Sequence, residues 1–315
     1  MQKKRNIRFI IVFFILLVWT LVFINLREST SRISVDEEKF AIQDTAAITQ
    51  ININDPSGKQ IILEGKSGIW MVNDTYLLDP SMKAALFAVL YQVRVKRTVP
   101  RNKLIDITKD IEKNGYQVEI QMENGTKSSF IAGGNGISIS YFRHPREDPL
   151  IVFLPGYESY VSGIFEVTLN DWRDRLIFQT SWLGLKKLSI TYPANPLDNV
   201  IIEPAENLYR VKNISKLDTN TLMNFIEQIS YFYTDQYIDR GQIYTYDSLT
   251  KTIPSAELTL QAVGLEKMIS IRFYHPLPNE KVQLGVINDT DMCLFGNQRI
   301  SYLFKKRQDF SLNHK

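Results

Sequence analysis

Residues Ile69–Pro80 read IWMVNDTYLLDP, and residues Leu208–Thr219 read LYRVKNISKLDT. Each stretch runs from a short β-prone segment through turn residues to an aspartate that opens a helical pattern. In the first, Asp79 suits an N-cap and Pro80 the first helical position. Met82, Leu86, Val89, Leu90 and Val93 follow at helical spacing. In the second, Asp218 precedes Leu222, Phe225, Ile226, Ile229 and Phe232 on one helical face. Trp70 and Tyr209, Asp79 and Asp218, and Leu86 and Phe225 are each 139 positions apart. A constant offset across strand, cap and helix points to an internal duplication.

Working outward, strand-like runs precede each helix. They are Ile48–Ile53 and Gln60–Glu64 in the first stretch, Leu188–Tyr192 and Val200–Glu203 in the second. More follow: Gln117–Met122 and Ser128–Ala132, then Glu257–Gln261 and Met268–Tyr274. Asp55-Pro56-Ser57-Gly58 and Val263-Gly264-Leu265-Glu266 supply turn chemistry between them. The expected fold class is α+β, with two related modules over residues 41–180 and 181–310. Each module is a mainly antiparallel sheet with a helix packed on it, and residues 311–315 form a tail.

Upstream lies a different kind of sequence. Residues 9–24, FIIVFFILLVWTLVFI, form an apolar run. Extended to Leu26, it approaches the ~20 residues that a helix needs to cross a bilayer. A transmembrane helix is therefore expected over 9–26. No small-x-small cleavage site follows, since the next residues are Asn-Leu-Arg-Glu-Ser, so the segment reads as an uncleaved anchor. Lys3, Lys4, Arg5 and Arg8 place residues 1–8 in the cytoplasm. The implied location is the inner (cytoplasmic) membrane, crossed once, with the bulk of the chain outside the cytoplasm. Residues 27–40 read as a stalk.

The formal net charge of the 315-residue chain is +3, from 37 basic and 34 acidic residues. Lys3, Lys4, Arg5, Arg8 and Arg27 flank the apolar run. Without those five, 32 basic residues face 34 acidic ones, so the folded part has no basic surplus to recruit nucleic acid. The single cysteine, Cys293, has no intramolecular disulfide partner and sits in an apolar patch, as a buried core residue does.

Six stretches resemble DUF4340, a bacterial domain family of unknown function. They are Phe40–Gln50 (FAIQDTAAITQ), Val93–Pro100 (VRVKRTVP), Phe130–Gly134 (FIAGG), Phe153–Tyr160 (FLPGYESY), Asn170–Phe178 (NDWRDRLIF) and Phe304–Phe310 (FKKRQDF). The resemblance implies an exported or membrane-anchored bacterial protein and no particular activity. Some relatives resemble auxiliary components of gliding-associated ABC transporters, which would make a transporter subunit one candidate partner.

Asp171, Trp172, Arg173, Asp174 and Arg175 form the densest charged and aromatic cluster. Trp and Arg anchor interfaces and stack on sugars or peptides. The same residues also suit a structural corner, with Trp172 as a plug and two Asp–Arg pairs tying loops. Gly133-Gly134-Asn135-Gly136 lacks the features of a phosphate loop and reads as a flexible turn. Arg94, Lys96, Arg97 and Arg101 alternate with valines as on a strand with one solvated face. The three histidines have no neighbours at metal-ligand spacing, and no nucleophile motif is present. No cofactor is implied. The first functional expectation is a non-enzymatic binding or scaffold component of the cell envelope. The alternatives are a glycan or peptidoglycan module using exposed aromatics, and a hydrolase with an unmarked carboxylate pair.

Overall fold

A computed structural model describes residues 36–206 and 208–312. The expected cytoplasmic segment, the transmembrane helix over 9–26 and most of the stalk lie outside the described residues. Among the described residues no helix is long and apolar enough to cross a membrane.

The described chain is α+β, with antiparallel sheets and a few helices. Its first strands are β1 (Ile48–Asn54), β2 (Gln60–Lys66), β3 (Ile69–Val72) and β4 (Tyr76–Leu77). Helix α1 (Pro80–Gln92), β5 (Arg94–Thr98) and α2 (Arg101–Asn114) follow. Then come β6 (Tyr116–Met122), β7 (Lys127–Gly134), β8 (Ser140–Arg143) and β9 (Leu150–Phe153). Helix α3 (Leu169–Trp172) leads to β10 (Leu176–Gln179), β11 (Leu185–Thr191), β12 (Val200–Ala205) and β13 (Leu208–Val211). Helix α4 (Thr219–Gln228), β14 (Tyr231–Tyr233), β15 (Gln236–Ile238) and α5 (Tyr244–Leu249) come next. The last strands are β16 (Ala256–Ala262), β17 (Ile269–Phe273), β18 (Val282–Ile287) and β19 (Asp291–Gly296), before α6 (Asn297–Ile300).

Contacts divide the chain into two compact units. The first takes residues up to Gln60 and Ala85–Glu166; the second takes Ile61–Ala84 and Val167–Lys315. In the first unit, antiparallel pairing runs β1-β6-β7-β8-β9-β5. Ile51, Ile53, Val118 and Ile120 alternate inward, as a half-buried sheet requires. Phe40, Phe130, Phe142 and Phe165 form a ring cluster with centroids 4.7–6.0 Å apart. Phe40, the last residue of the expected stalk, is thus part of this core. Strand β5 ends the ladder, and Lys96 and Arg97 are both exposed at its irregular step, which blunts an edge against further pairing.

In the second unit an eight-stranded sheet runs β13-β12-β11-β16-β17-β18-β19-β15. Phe225, Ile226 and Leu222 of α4 bury into its core. The sequence pattern extended this helix through Phe232, but α4 ends at Gln228 and Phe232 belongs to β14. Both Ile229 and Phe232 are buried all the same, because the chain reverses into the same core. Gly133 and Gly134 close strand β7 instead of forming a flexible turn. The loop after them is tied by Asn135, whose Oδ1 accepts from the amides of Ile137, Ser138 and Ile139.

Candidate functional site

The Asp171–Arg175 cluster lies in the second unit and is built inward. Thr168 and Asp171 close a capping box on α3, with the Thr168 N–H donating to Asp171 Oδ2 at 2.8 Å. Trp172 is fully buried and its carbonyl accepts from the Asp79 N–H at 2.9 Å. Its indole Nε1 has no hydrogen-bond partner among the described residues. Arg173 is 8% exposed. Its guanidinium lies between the rings of Tyr76 and Tyr237, with Cζ at 3.8 and 3.9 Å from their centroids. It donates to Asp291 Oδ1 at 2.9 Å and to Asn170 Oδ1 at 3.2 Å. Asn170 in turn donates to Asp239 Oδ1 at 2.9 Å, and the Tyr237 hydroxyl to the Asp174 carbonyl at 3.1 Å. Burial pushes the Tyr237 phenol above its usual range, and the nearby Arg173 charge opposes that rise.

The two expected local Asp–Arg pairs do not form. Asp171 serves the helix start, Asp174 Oδ1 accepts from the Leu176 amide, and Arg175 is exposed. Arg173 finds its carboxylate 118 residues away instead. Successive side chains in extended backbone point to opposite faces, so Arg173 and Asp174 cannot meet. Arg173 is a satisfied node: both faces of its cation are covered and its charge is paired.

A second feature carries more open surface. The segment before β11, the end of α4 and the β16–β17 turn enclose a groove of about 900 Å³. Trp182, Leu183, Met223, Tyr231 and Val263 supply apolar lining. Trp182 is 46% exposed and Tyr231 54%. Gln179, Glu227 and Ser230 add polar groups, and Gln179 Nε2 donates to the Tyr231 hydroxyl at 2.9 Å. In the sequence Tyr231, Tyr233 and Tyr237 all fall partly off the helical stripe, as surface-lining residues would; Tyr231 and Tyr233 are exposed on β14, but Tyr237 is buried, its ring stacked on Arg173. The other walls were not legible, because they meet only through pairing of distant strands.

No protein family, curated protein or solved structure matches this chain.

In the first unit a smaller cavity of about 220 Å³ is lined by Asp110, Asn114, Gly134, Tyr160 and Glu166 among others. Its two carboxylates are engaged: Asp110 accepts from Asn114 at 2.7 Å, and Glu166 accepts from the Tyr160 hydroxyl. Burial, then the bond to Glu166, pushes the Tyr160 phenol well above its usual range. Gly134 has no room for a side chain, since a Cβ would stand 2.5 Å from the Tyr160 ring. Among the described residues no group of three or more His, Cys, Asp or Glu could hold a metal ion.

Proposed function

We propose that this chain is a single-pass, membrane-anchored protein of the cell envelope. Its extracytoplasmic part acts as a non-enzymatic binding or scaffold component, with a transporter subunit or another envelope protein as partner. The observation that carries this reading is the open, apolar groove of the second unit. It offers exposed Trp, Leu, Tyr and Val side chains, the residue types that partners bury. The apolar run over 9–24 and its basic flank support an envelope location. Trp182 and Tyr231, beside the polar Gln179, Glu227 and Ser230, also favour a second reading, a glycan or peptidoglycan module.

The strand pairing also supports the duplication. The ladder β1-β6-β7-β8-β9-β5 has the same order as β11-β16-β17-β18-β19-β15. In the hairpins, Leu63 pairs with Val72 and Lys66 with Ile69, while Ile202 pairs with Val211 and Ala205 with Leu208. Every one of those positions differs by 139 from its counterpart. We read the two sheets as copies of one ancestral module.

Cross-linking of intact membranes, followed by purification of the full-length protein, tests the binding role. One envelope protein should be recovered repeatedly, and its yield should fall with Tyr231→Ala. Recovery of no repeated partner counts against the reading. Retention on peptidoglycan that is lost with Trp182→Ala supports the glycan module instead. A C-terminal reporter active only outside the cytoplasm should be active; an inactive one overturns the orientation.

A further inference from the structure

The groove of the second unit has apolar and neutral polar walls, and a single carboxylate breaks that pattern. Glu227 lines it from the last turn of α4 and is exposed. Among the described residues it forms no ion pair, and no other charged side chain lines the groove. The Ser230 N–H and hydroxyl donate to the Glu227 main-chain carbonyl at 3.1 and 2.6 Å. Closing the helix therefore does not consume the carboxylate. No basic residue lies in the last turn of α4, so the partial negative charge of the helix end adds to that of Glu227. The exposed rings of Trp182 and Tyr231 present faces that also attract cations.

The matching part of the first copy shows that folding does not require this chemistry. Glu227 and Met223 of α4 match Ala88 and Ala84 of α1 at the offset of 139 that relates Asp218 to Asp79. The Glu123 N–H donates to the Ala47 carbonyl as the Val263 N–H does to the Gly184 carbonyl. That bond sets Thr45 in the place of Trp182. The same backbone forms with alanine and threonine at these positions. The carboxylate, the thioether and the indole answer to something outside the fold.

We propose that the groove takes an amphipathic cation: an extended segment of a partner protein that sets a lysine or arginine beside bulky apolar side chains. This rests on the groove being the partner's site. Its volume of about 900 Å³ has room for several side chains at once. Trp182, Met223 and Val263 receive the apolar ones. The cation lies at Glu227 and the end of α4, and the aromatic faces share its charge. An acidic segment meets repulsion from the same groups. A neutral sugar would use the rings and leave the carboxylate without a partner. One fixed charge in an apolar contact also sets the register of the bound segment.

The test uses full-length protein in phosphatidylcholine nanodiscs, with empty nanodiscs as the blank. The probes are fluorescent, blocked peptides Gly-Leu-Phe-Xaa-Leu-Gly with Lys, Gln or Glu at Xaa, read by anisotropy. The Lys peptide should bind roughly fivefold more tightly than the Gln peptide, and the Glu peptide more weakly than either. Added salt should narrow the gap. Glu227→Gln should bring the Lys peptide down to the level of the Gln peptide. Glu266→Gln, on an exposed carboxylate outside the lining, should leave the preference intact. If the three peptides bind equally and Tyr231→Ala weakens them all, the cation preference is overturned and the groove stands as the partner's site. A preference for Lys that survives Glu227→Gln overturns the assignment as well. If no peptide binds, the groove reading fails and takes the preference with it. Binding of peptidoglycan fragments instead, lost with Trp182→Ala, overturns both in favour of the glycan module.

Discussion

At the scale of single residues, Arg173 shows how a conspicuous motif can be inward-facing. Its charge is covered by two tyrosine rings and paired with Asp291. Arg173→Ala should cost about 3 kcal/mol, because it leaves a partly buried carboxylate without its partner. Arg175→Ala, two positions on and exposed, should stay within about 0.5 kcal/mol. Urea midpoints of the two variants separate these outcomes; equal midpoints would sink the assignment of Arg173 as the node. Cys293 offers a second test. Its thiol is fully buried and faces the Gly285 carbonyl at 3.5 Å, and burial pushes its ionisation up. It should ignore a thiol reagent until the second unit unfolds. Prompt labelling of the native protein would contradict that burial.

At the scale of elements, the paired aspartates make the clearest forecast. Asp79 Oδ1 accepts from the amides of Ser81 and Met82, and Asp218 Oδ1 from Thr221. Replacing either with Ala should lower stability by about 1 kcal/mol. Similar losses in the two variants, read from urea unfolding, are what equivalent caps require; a loss at one alone would argue against it. These caps were legible because their chemistry is local: a side chain, a turn and an apolar period within a dozen residues. Helix α2 was not. Its first residue, Arg101, continues a run of basic residues alternating with valines, so the strand pattern of β5 masked the boundary at Pro100. The partner of Arg173 was also hidden, since Asp291 is brought near by strand pairing and by nothing in the local sequence. The groove was hidden for the same reason: Trp182 and Val263 meet only because Leu185 pairs with Ala262.

At the scale of the whole molecule, stability should depend on pH in stages that follow from which groups folding perturbs. On the acid side, Ser57 holds the Asp55 carboxyl low by hydrogen bonding, Lys39 does so for Glu147, and Arg210 for Glu203. A depressed group contributes stability above its unfolded value, near 4, and loses it as pH falls through the lower folded value. Glu147 is exposed, and Asp55 and Glu203 lie at the surface half-buried, so the acid limb should be shallow and weakened by salt. On the alkaline side, burial raises the Cys293 thiol and the phenols of Tyr192 and Tyr237. A raised group contributes stability in full below its unfolded value and loses it as pH rises towards the folded one. The unfolded thiol ionises near 8.5 and unfolded tyrosine near 10. Stability should therefore hold between about pH 5 and pH 8, begin to fall near 8.5, and fall more steeply above about 10. Each of these buried thiol and phenol groups adds a slope of at most about 1.4 kcal/mol per pH unit. Cys293→Ala removes the first stage, so its urea midpoint should stay level until the tyrosines titrate near pH 10. An unchanged onset at pH 8.5 in that variant would mean that some other group sets the alkaline limb.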